Sequence, residues 1–220
     1  MTSLDDLAKY YGTDKSSEHH DYMRIYESYL AEYKLKNFHL IELGVGGRTY
    51  NGPCGASLKT WKAFFQNARF SGVDSDPVCK EAEIENTQIY IGNQDDPFIA
   101  DSVIATYGAP SIIVDDASHN NEKTIATFGL YFQLLEPGGF YFIEDTHCSY
   151  ENKFENKRED FNQFLLSLAS SIDQNGQKLT PHNAQAFTKI PNYDELPLKE
   201  RWVEYYAYHR GLLVIRKRSI

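Results

Sequence analysis

The sequence predicts an α/β fold with a doubly wound, mostly parallel sheet of about seven strands and helices at its N-terminus. Short apolar runs alternate with longer amphipathic segments along most of the chain. Each apolar run ends abruptly in glycine or in acidic residues. Continuous apolar runs are typical of strands buried on both faces, as in parallel sheets. These observations together indicate a Rossmann-like sheet covered by helices on both sides.

The predicted elements follow one another with short connections. Helices are expected at 4–11, where Gly12 ends the helix, and at about 22–33, followed by a strand at 38–43. The next elements are a helix capped by Ser57, a strand at 70–74, a short helix at 78–84, a strand at 89–91, a helix at 97–107, a strand at 112–115, a helix at 122–135 and a strand at 140–144. A helix at about 160–171 and terminal strands at 184–190 and 212–216 complete the prediction.

Composition limits the classes of protein and partner. The length of 220 residues predicts one domain, and the net charge of -9 argues against nucleic acid or an anionic membrane as the main partner. The polar, acidic start does not resemble a signal peptide, and no apolar run approaches transmembrane length. Three scattered cysteines without metal spacing predict reduced thiols. We therefore expect a cytoplasmic protein.

Two predicted strands end in paired acids, each pair followed by a histidine. The carboxyl ends of neighbouring parallel strands meet at one edge of a sheet, where ligands bind. Four carboxylates are therefore expected in one crevice: Asp115, Asp116, Glu144 and Asp145. So many carboxylates repel one another unless a cation or a proton compensates them. The pattern indicates an active site with a divalent metal ion.

The first strand leads into a glycine-rich loop with an unusual acid. Glu42 precedes Gly44-Val-Gly-Gly47, but Thr49 stands where a dinucleotide fingerprint has its third glycine, and no helix follows at once. Glu42 would repel a phosphate but suits an ammonium group. Asp74, at the end of the second strand, can accept both hydroxyls of a ribose. A ligand with a ribose, a cation and no phosphate describes S-adenosylmethionine; alternatively, the glycines only form a tight turn.

Several motifs occur in an order typical of one enzyme family. They are Tyr11-Gly-Thr-Asp-Lys15, His20-x-Tyr22 with Tyr26, Glu42-x-Gly-Val-Gly-Gly47, Gly55-Ala-Ser-Leu-x-x-Trp61, Gly72-Val-Asp74, Gly92-Asn-Gln-Asp95, Asp115-Asp-Ala-Ser-His119 and Glu144-Asp-x-x-x-Ser-Tyr150. From about Tyr11 to Tyr150 the chain resembles the class I S-adenosylmethionine-dependent, metal-dependent sugar O-methyltransferases of antibiotic biosynthesis, the macrolide (mycinamicin and demethylmacrocin) O-methyltransferase family. Ala117 stands where that family has glycine.

The resemblance implies roles for individual residues. The cofactor would be bound by Glu42, Gly44, Ser57, Asp74, Gln94, Asp95 and Asp115. The metal ligands would be Asp116, Glu144 and Asp145, and the general base His119. Residues 1–36 would form a helical cap region, 37–148 the cofactor- and metal-binding core, and 149–220 the substrate region with the terminal strands. The family also implies a sugar or glycoside substrate and a homo-oligomer, either a dimer or a tetramer.

The expected chemistry explains this choice of residues. A sugar hydroxyl is a poor nucleophile because its pKa lies far above neutrality. Mg²⁺ held by carboxylate oxygens can chelate two vicinal hydroxyls and acidify them as a Lewis acid. His119 can then accept the proton, a contribution of typically ~10²–10⁴-fold.

Other interpretations of the same residues remain open. A catechol-like phenol would suit the same metal, whereas Asp116, His119 and His147 would suit a non-haem iron oxygenase. A cofactor-sensing module without catalysis is a third class. In purely structural terms, Asp116 or Ser118 would cap the following helix, and His119 would be a structural histidine. The residues without an assigned role are His20, His147 and Tyr150.

Overall fold

The computed structural model describes residues 2–46, 53–154, 156–177 and 202–219. Its strands are β1 (His39–Leu43), β2 (Arg69–Asp74), β3 (Thr87–Ile91), β4 (Ile112–Asp115), β5 (Phe140–Ile143), β6 (Val203–His209) and β7 (Leu212–Lys217). Its α-helices are α1 (Leu4–Tyr11), α2 (Tyr22–Leu30), α3 (Ala56–Phe64), α4 (Pro97–Tyr107), α5 (Asn121–Tyr131) and α6 (Arg158–Gln177). Short 3-10 helices lie at Ala31–Tyr33, Pro77–Ala82, Thr146–Tyr150 and Asn152–Phe154.

The strands form one seven-stranded sheet in the order β3-β2-β1-β4-β5-β7-β6. The first five strands are parallel; β7 pairs with β5 in antiparallel orientation, and β6 pairs antiparallel with β7, so β7 alone among these seven strands runs against the others. The predicted doubly wound, mostly parallel sheet of about seven strands is thereby confirmed. The chain reverses its direction of travel across the sheet between β1 and β4, so the crevice at their carboxyl ends is the expected ligand site.

Alternation along the strands separates two hydrophobic clusters, one on each face of the sheet. Val114 and Phe142 belong to the cluster that also contains Trp61. Ile113 and Tyr141 belong to the other. Because successive strand residues point to opposite faces, this alternation also decides on which face each polar residue at a strand end lies. Trp61 is fully buried, in agreement with its predicted place in the core.

Several helix ends differ from the prediction. Ser57 does not cap α3, because Gly55 in the left-handed conformation takes that position and no side chain caps the helix. Asn120 caps α5 through the amide of Lys123, so the proposed capping by Asp116 or Ser118 is wrong. α5 ends at Tyr131 rather than at 135. The helix expected at 78–84 is a 3-10 helix that ends at Ala82.

The C-terminal part differs more. α6 is longer than predicted, and β6 had not been predicted. The strand expected at 184–190 lies outside the described residues. Among the helices that are described, none combines the length and the apolar character needed to cross a membrane. Cys54, Cys79 and Cys148 are free thiols.

Candidate active site

A cavity of about 780 Å³ lies at the carboxyl ends of the parallel strands. The carboxyl end of each of the five strands β1 to β5, or the loop that follows it, contributes to the cavity wall. The contributing residues include, in strand order, Gly44, Asp74, Gln94, Asp116 and Asp145. Ser57, Asp95 and His119 also line it. The sheet therefore brings predicted cofactor, metal and base residues to one cavity, as the strand order requires.

Gly44 lets the first loop pack against the fourth. Its φ of +86° is left-handed, and a Cβ at this position would lie 2.8 Å from the Ala117 Cα and even closer to the Asp116 carbonyl oxygen. Only glycine combines this conformation with so close an approach. The glycine thus fixes the position of the loop that carries Asp116 and His119.

Asp74 is anchored at the cavity wall by two backbone amides. Its Oδ2 accepts a hydrogen bond from Val45 N at 2.8 Å, and its Oδ1 accepts one from Asp76 N, also at 2.8 Å. Each carboxylate oxygen keeps a further lone pair. The carboxylate is therefore held in place and still able to accept hydroxyl groups from the cavity.

Gln94 connects the end of β3 to the loop after β4. Its Nε2 donates to Thr127 Oγ1 at 3.0 Å, and its Oε1 accepts from Ser118 N at 2.9 Å. Because the amide is engaged within the protein, Gln94 supports the loop that precedes His119. The neighbouring Asp95 is half-buried in the cavity wall.

Glu42 is a buried acid without a satisfied carboxylate. Neither of its oxygens accepts a hydrogen bond of good geometry from the described residues, although Ser57 and Trp61 lie beside it. Burial raises the pKa of the Glu42 carboxyl to about 7, against the opposing effects of Lys15 and Ser57. Glu42 is fully buried and is not among the described residues that line the cavity, so it lies behind the wall that Gly44 and Ser57 form. A buried acid of this kind needs a hydrogen-bond donor.

Asp115 does not join the other three acids, so the expectation of four carboxylates in one crevice is wrong in this respect. Its side chain is on the face of Ile113, where it accepts hydrogen bonds from Tyr141 Oη at 3.0 Å and Gln94 Nε2 at 3.4 Å. Adjacent strand residues point to opposite faces. Burial raises the pKa of the Asp115 carboxyl to about 7, although the Tyr141 hydrogen bond opposes the shift.

We call Asp116, Glu144 and Asp145 the acidic cluster, and a buried lysine contacts the first two of them. The Lys15 ammonium donates to Glu144 Oε2 at 2.9 Å and makes a short contact with Asp116 Oδ2. Tyr26 donates its hydroxyl to Glu144 Oε1 at 2.6 Å. Burial raises the pKa of the Asp116 and Glu144 carboxyls, despite the opposing charge of Lys15.

Sequence reasoning assigned no role to Lys15. It lies in the Tyr11–Lys15 motif, but its distance of 101 residues from Asp116 gave no local signal. The available signal was charge balance, because three clustered carboxylates require a cation.

Asp145 lies beside one tyrosine hydroxyl and three imidazole rings. Its Oδ1 accepts a hydrogen bond from Tyr22 Oη at 2.8 Å, and His20 Nδ1 and His147 Nδ1 lie 4.0 and 3.9 Å from the same oxygen. His119 Nε2 lies 3.7 Å from Oδ2. Burial favours a raised pKa, but the Tyr22 hydrogen bond and the histidines outweigh it and lower the pKa of Asp145. Asp145 is therefore an ionised acid that faces imidazoles.

His119 is held in a strained backbone conformation at the cavity wall. Its φ of +54° is left-handed, as is that of Asp145 at +51°. Left-handed conformations of residues other than glycine are uncommon and concentrate at functional sites. The ring packs edge-on against Phe154 at 5.6 Å, and Asn156 donates to the His119 carbonyl at 2.8 Å. These contacts fix a partly exposed imidazole beside the acidic cluster.

The donor chemistry of the acidic cluster fits a hard cation. Two of its carboxylates converge on one ammonium nitrogen, which stands in for a positive ion at this point. Carboxylate oxygens are the ligands that Mg²⁺ prefers. Within the described residues, the sets whose ligand atoms lie within 4.8 Å of one another are His119, Asp145 and Cys148, and His147, Cys148 and Glu151. The predicted ligand set of Asp116, Glu144 and Asp145 is not among them and stays a prediction.

Comparisons with known proteins confirm the resemblance expected from the motifs. The chain is 32% identical over 165 residues to demethylmacrocin O-methyltransferase of Streptomyces fradiae. The aligned region covers 75% of this chain and 42% of that enzyme. It is 31% identical over 227 residues to 8-demethyl-8-alpha-L-rhamnosyl tetracenomycin-C 2'-O-methyltransferase of Streptomyces olivaceus, covering 100% of this chain and 56% of the relative. No protein-family model matches the chain.

The fold agrees with a solved methyltransferase structure. The MycE methyltransferase from the mycinamycin biosynthetic pathway, in complex with Mg and SAH, aligns with a TM-score of 0.83 at 26% identity, covering 99% of this chain and 55% of the MycE chain. The chain thus spans about half the length of the curated relatives it matches. In sequence and structure, the chain is therefore a homologue of the sugar O-methyltransferases of macrolide and tetracenomycin pathways, with the class I methyltransferase fold.

Proposed function

We propose that this protein transfers a methyl group from S-adenosylmethionine to a hydroxyl of a sugar or glycoside, with Mg²⁺ at the acidic cluster. The observation that carries the proposal is a single cavity lined by Asp74 on its cofactor side and by Asp116, Asp145 and His119 on its reaction side. The names of the curated relatives and the Mg and SAH bound to MycE support the same reaction.

The cofactor would lie across the ends of β1, β2 and β3. Asp74 would accept the ribose hydroxyls, since both its oxygens are anchored but retain lone pairs. Glu42 would receive the ammonium of the methionine part, beside Ser57 and Gly44. Asp95 would lie near the adenine, with Gln94 supporting the wall.

In this proposal Asp115 contributes to cofactor binding indirectly, because its carboxylate accepts a hydrogen bond from the side-chain amide of Gln94, which lines the cavity. This indirect contribution is what its position on the opposite face of the sheet allows.

The acceptor hydroxyl would lie between the acidic cluster and His119. Mg²⁺ held by Asp116, Glu144 and Asp145 would act as a Lewis acid that lowers the pKa of the hydroxyl. His119 would take the proton as the oxygen attacks the methyl carbon, and the carbon–sulfur bond would break to leave a neutral thioether. The Asp145 carboxylate, 3.7 Å from Nε2, would stabilise the imidazolium that results.

The division of the chain into three regions is also part of the proposal. Residues 1–36 and the described part of 149–220 would each contribute to the cavity wall, because Thr13, Lys15, Lys153 and Phe154 line it. Phe154 would pack against the acceptor sugar. The homo-oligomeric state stays a prediction, which light scattering with size-exclusion chromatography would test.

Calorimetry of S-adenosylhomocysteine binding tests the cofactor assignment. We expect micromolar binding in EDTA, and its loss in Asp74→Ala. With Mg²⁺, isotope-labelled S-adenosylmethionine and a panel of deoxyhexosides with vicinal hydroxyls, mass spectrometry should detect a transferred methyl group. A wild-type protein that does not bind S-adenosylhomocysteine at millimolar concentration would contradict the proposed function.

A further inference from the structure

Lys15 is a buried cation to which the proposed reaction assigns no role. Its side chain is 3% exposed, and that of its partner Glu144 is 2% exposed. The ammonium contacts two carboxylates of the acidic cluster at once. Buried lysines are rare unless they are paired, so a lysine in this position requires a specific explanation.

Both the backbone amide and the backbone carbonyl of Lys15 are hydrogen-bonded. Its amide donates to Thr13 Oγ1 at 3.4 Å, and its carbonyl accepts from Tyr22 N at 3.0 Å and from Met23 N at 3.1 Å. These last two bonds tie the loop to the first turn of α2. The ammonium is therefore delivered to the acidic cluster by a fixed segment rather than by a mobile surface side chain.

Charge balance indicates what the ammonium does. The acidic cluster has three carboxylates, and Lys15 is the cation in contact with Asp116 and Glu144. Without a cation, adjacent buried carboxylates would repel one another and destabilise the fold. A divalent ion that binds the same carboxylate oxygens must displace the ammonium, and this displacement weakens the binding of the divalent ion.

We propose that Lys15 is a resident counter-ion of the acidic cluster, which keeps the site folded without metal and competes with the divalent ion for Asp116 and Glu144. The inference rests on the proposed metal site and adds a residue that sets its affinity. Lys15 is a positioning residue in this sense, because it acts through the carboxylates.

Removal of the charge gives the test. Lys15→Met keeps an unbranched side chain one atom shorter and removes the ammonium. Lys36→Met is the matched control, since Lys36 forms an exposed pair with Glu32. Isothermal titration with MgCl₂, and thermal unfolding in EDTA and in MgCl₂, are measured for all three proteins. We expect Lys15→Met to bind Mg²⁺ at least about tenfold more tightly than wild type and to gain more thermal stability from it. The Lys36→Met control should match wild type.

The outcomes separate this inference from the proposed function. If wild type and Lys15→Met bind Mg²⁺ equally, or the variant binds more weakly, the role of Lys15 is refuted while the metal site stands. If neither binds Mg²⁺ at millimolar concentration, both proposals fail. A variant that is unfolded in EDTA but folds with Mg²⁺ supports the inference.

If Lys15→Met folds neither in EDTA nor in MgCl₂, a measurement on the wild-type protein tests the inference instead. Lysine acylation with acetic anhydride is followed by peptide mass spectrometry, with Lys36 as internal reference. An increase in Lys15 acylation on addition of Mg²⁺ supports the competition, and an unchanged or reduced level overturns it.

Discussion

Replacement of Asp115 by asparagine tests the most isolated acid of the site. The carboxyl is buried, its side-chain partners are the neutral groups Tyr141 and Gln94, and the backbone amide of Ala117 also donates to it. No ion pair to it occurs among the described residues. Burial raises its pKa from an ordinary value of 3.8 to about 7. Asparagine has the same shape and cannot ionise. Its amide can still bond to both neighbours, with the Tyr141 hydroxyl as acceptor.

The raised pKa fixes the sign of the effect. The folded protein binds this proton more tightly than the unfolded chain does. The stabilising contribution is therefore complete below about pH 4 and is lost as the pH rises through about 7. At 1.36 kcal/mol per pKa unit, a rise from 3.8 to about 7 corresponds to on the order of 4 kcal/mol. We expect Asp115→Asn to lack this loss, so its stability relative to wild type should increase between pH 5 and pH 8.

Urea unfolding followed by circular dichroism at several pH values between 5 and 8, in EDTA, measures this difference. Glu42 has a raised pKa in the same range, so the wild-type curve alone does not isolate Asp115. The difference between variant and wild type does. Asp101→Asn, on an exposed position of α4, is the control and should run parallel to wild type. A difference between Asp115→Asn and wild type that is the same at pH 5 and pH 8 would refute the raised pKa.

Two further substitutions test the cavity wall and the base. Gly44→Ala should weaken S-adenosylhomocysteine binding at least about tenfold and lower the free energy of unfolding by ~1–3 kcal/mol, because its Cβ meets the Asp116 backbone. Gly108→Ala shares the positive φ but has open space around its Cβ, so it should show the strain without the loss of binding; calorimetry and urea unfolding that find equal effects would contradict the steric argument. His119→Asn should reduce methyl transfer by ~10²–10⁴-fold while S-adenosylhomocysteine binding stays near wild type. Activity within a few-fold of wild type, measured by mass spectrometry, would exclude His119 as the base.

The parallel part of the sheet could be predicted because its strands are buried on both faces. A strand such as Ile112–Asp115 must then be apolar throughout, and its end is marked by the first polar group. β6 gave no such signal. It is one of the two edge strands of the sheet, and its exposed Glu204 and Tyr205 interrupt the apolar pattern. Edge strands pack on fewer neighbours, so their sequences are less constrained.

The positions of the acids were predictable, but their grouping was only partly so. Strand ends identified Asp115 and Asp116, and the two-residue alternation of a strand already implies that only one of them can share a face with Glu144. Lys15 was different, because the loop that carries it precedes β1, whereas its partners follow β4 and β5. No local rule of sequence connects these positions; only the packed fold does.

Contacts between α2 and the two acids that follow β5 show that the N-terminal segment also positions the acidic cluster. Tyr22 and Tyr26 are four residues apart, so they lie on one face of the helix. Tyr22 donates its hydroxyl to Asp145, and Tyr26 donates to the adjacent Glu144. The carbonyl of Lys15 accepts from the amide of Tyr22, so the segment that carries the lysine is hydrogen-bonded to the helix that carries both tyrosines. Three donor side chains of one N-terminal segment, Lys15, Tyr22 and Tyr26, thus make four contacts that reach all three carboxylates of the acidic cluster. A boundary at residue 36 therefore separates segments by sequence but not by function, because the proposed metal site needs both.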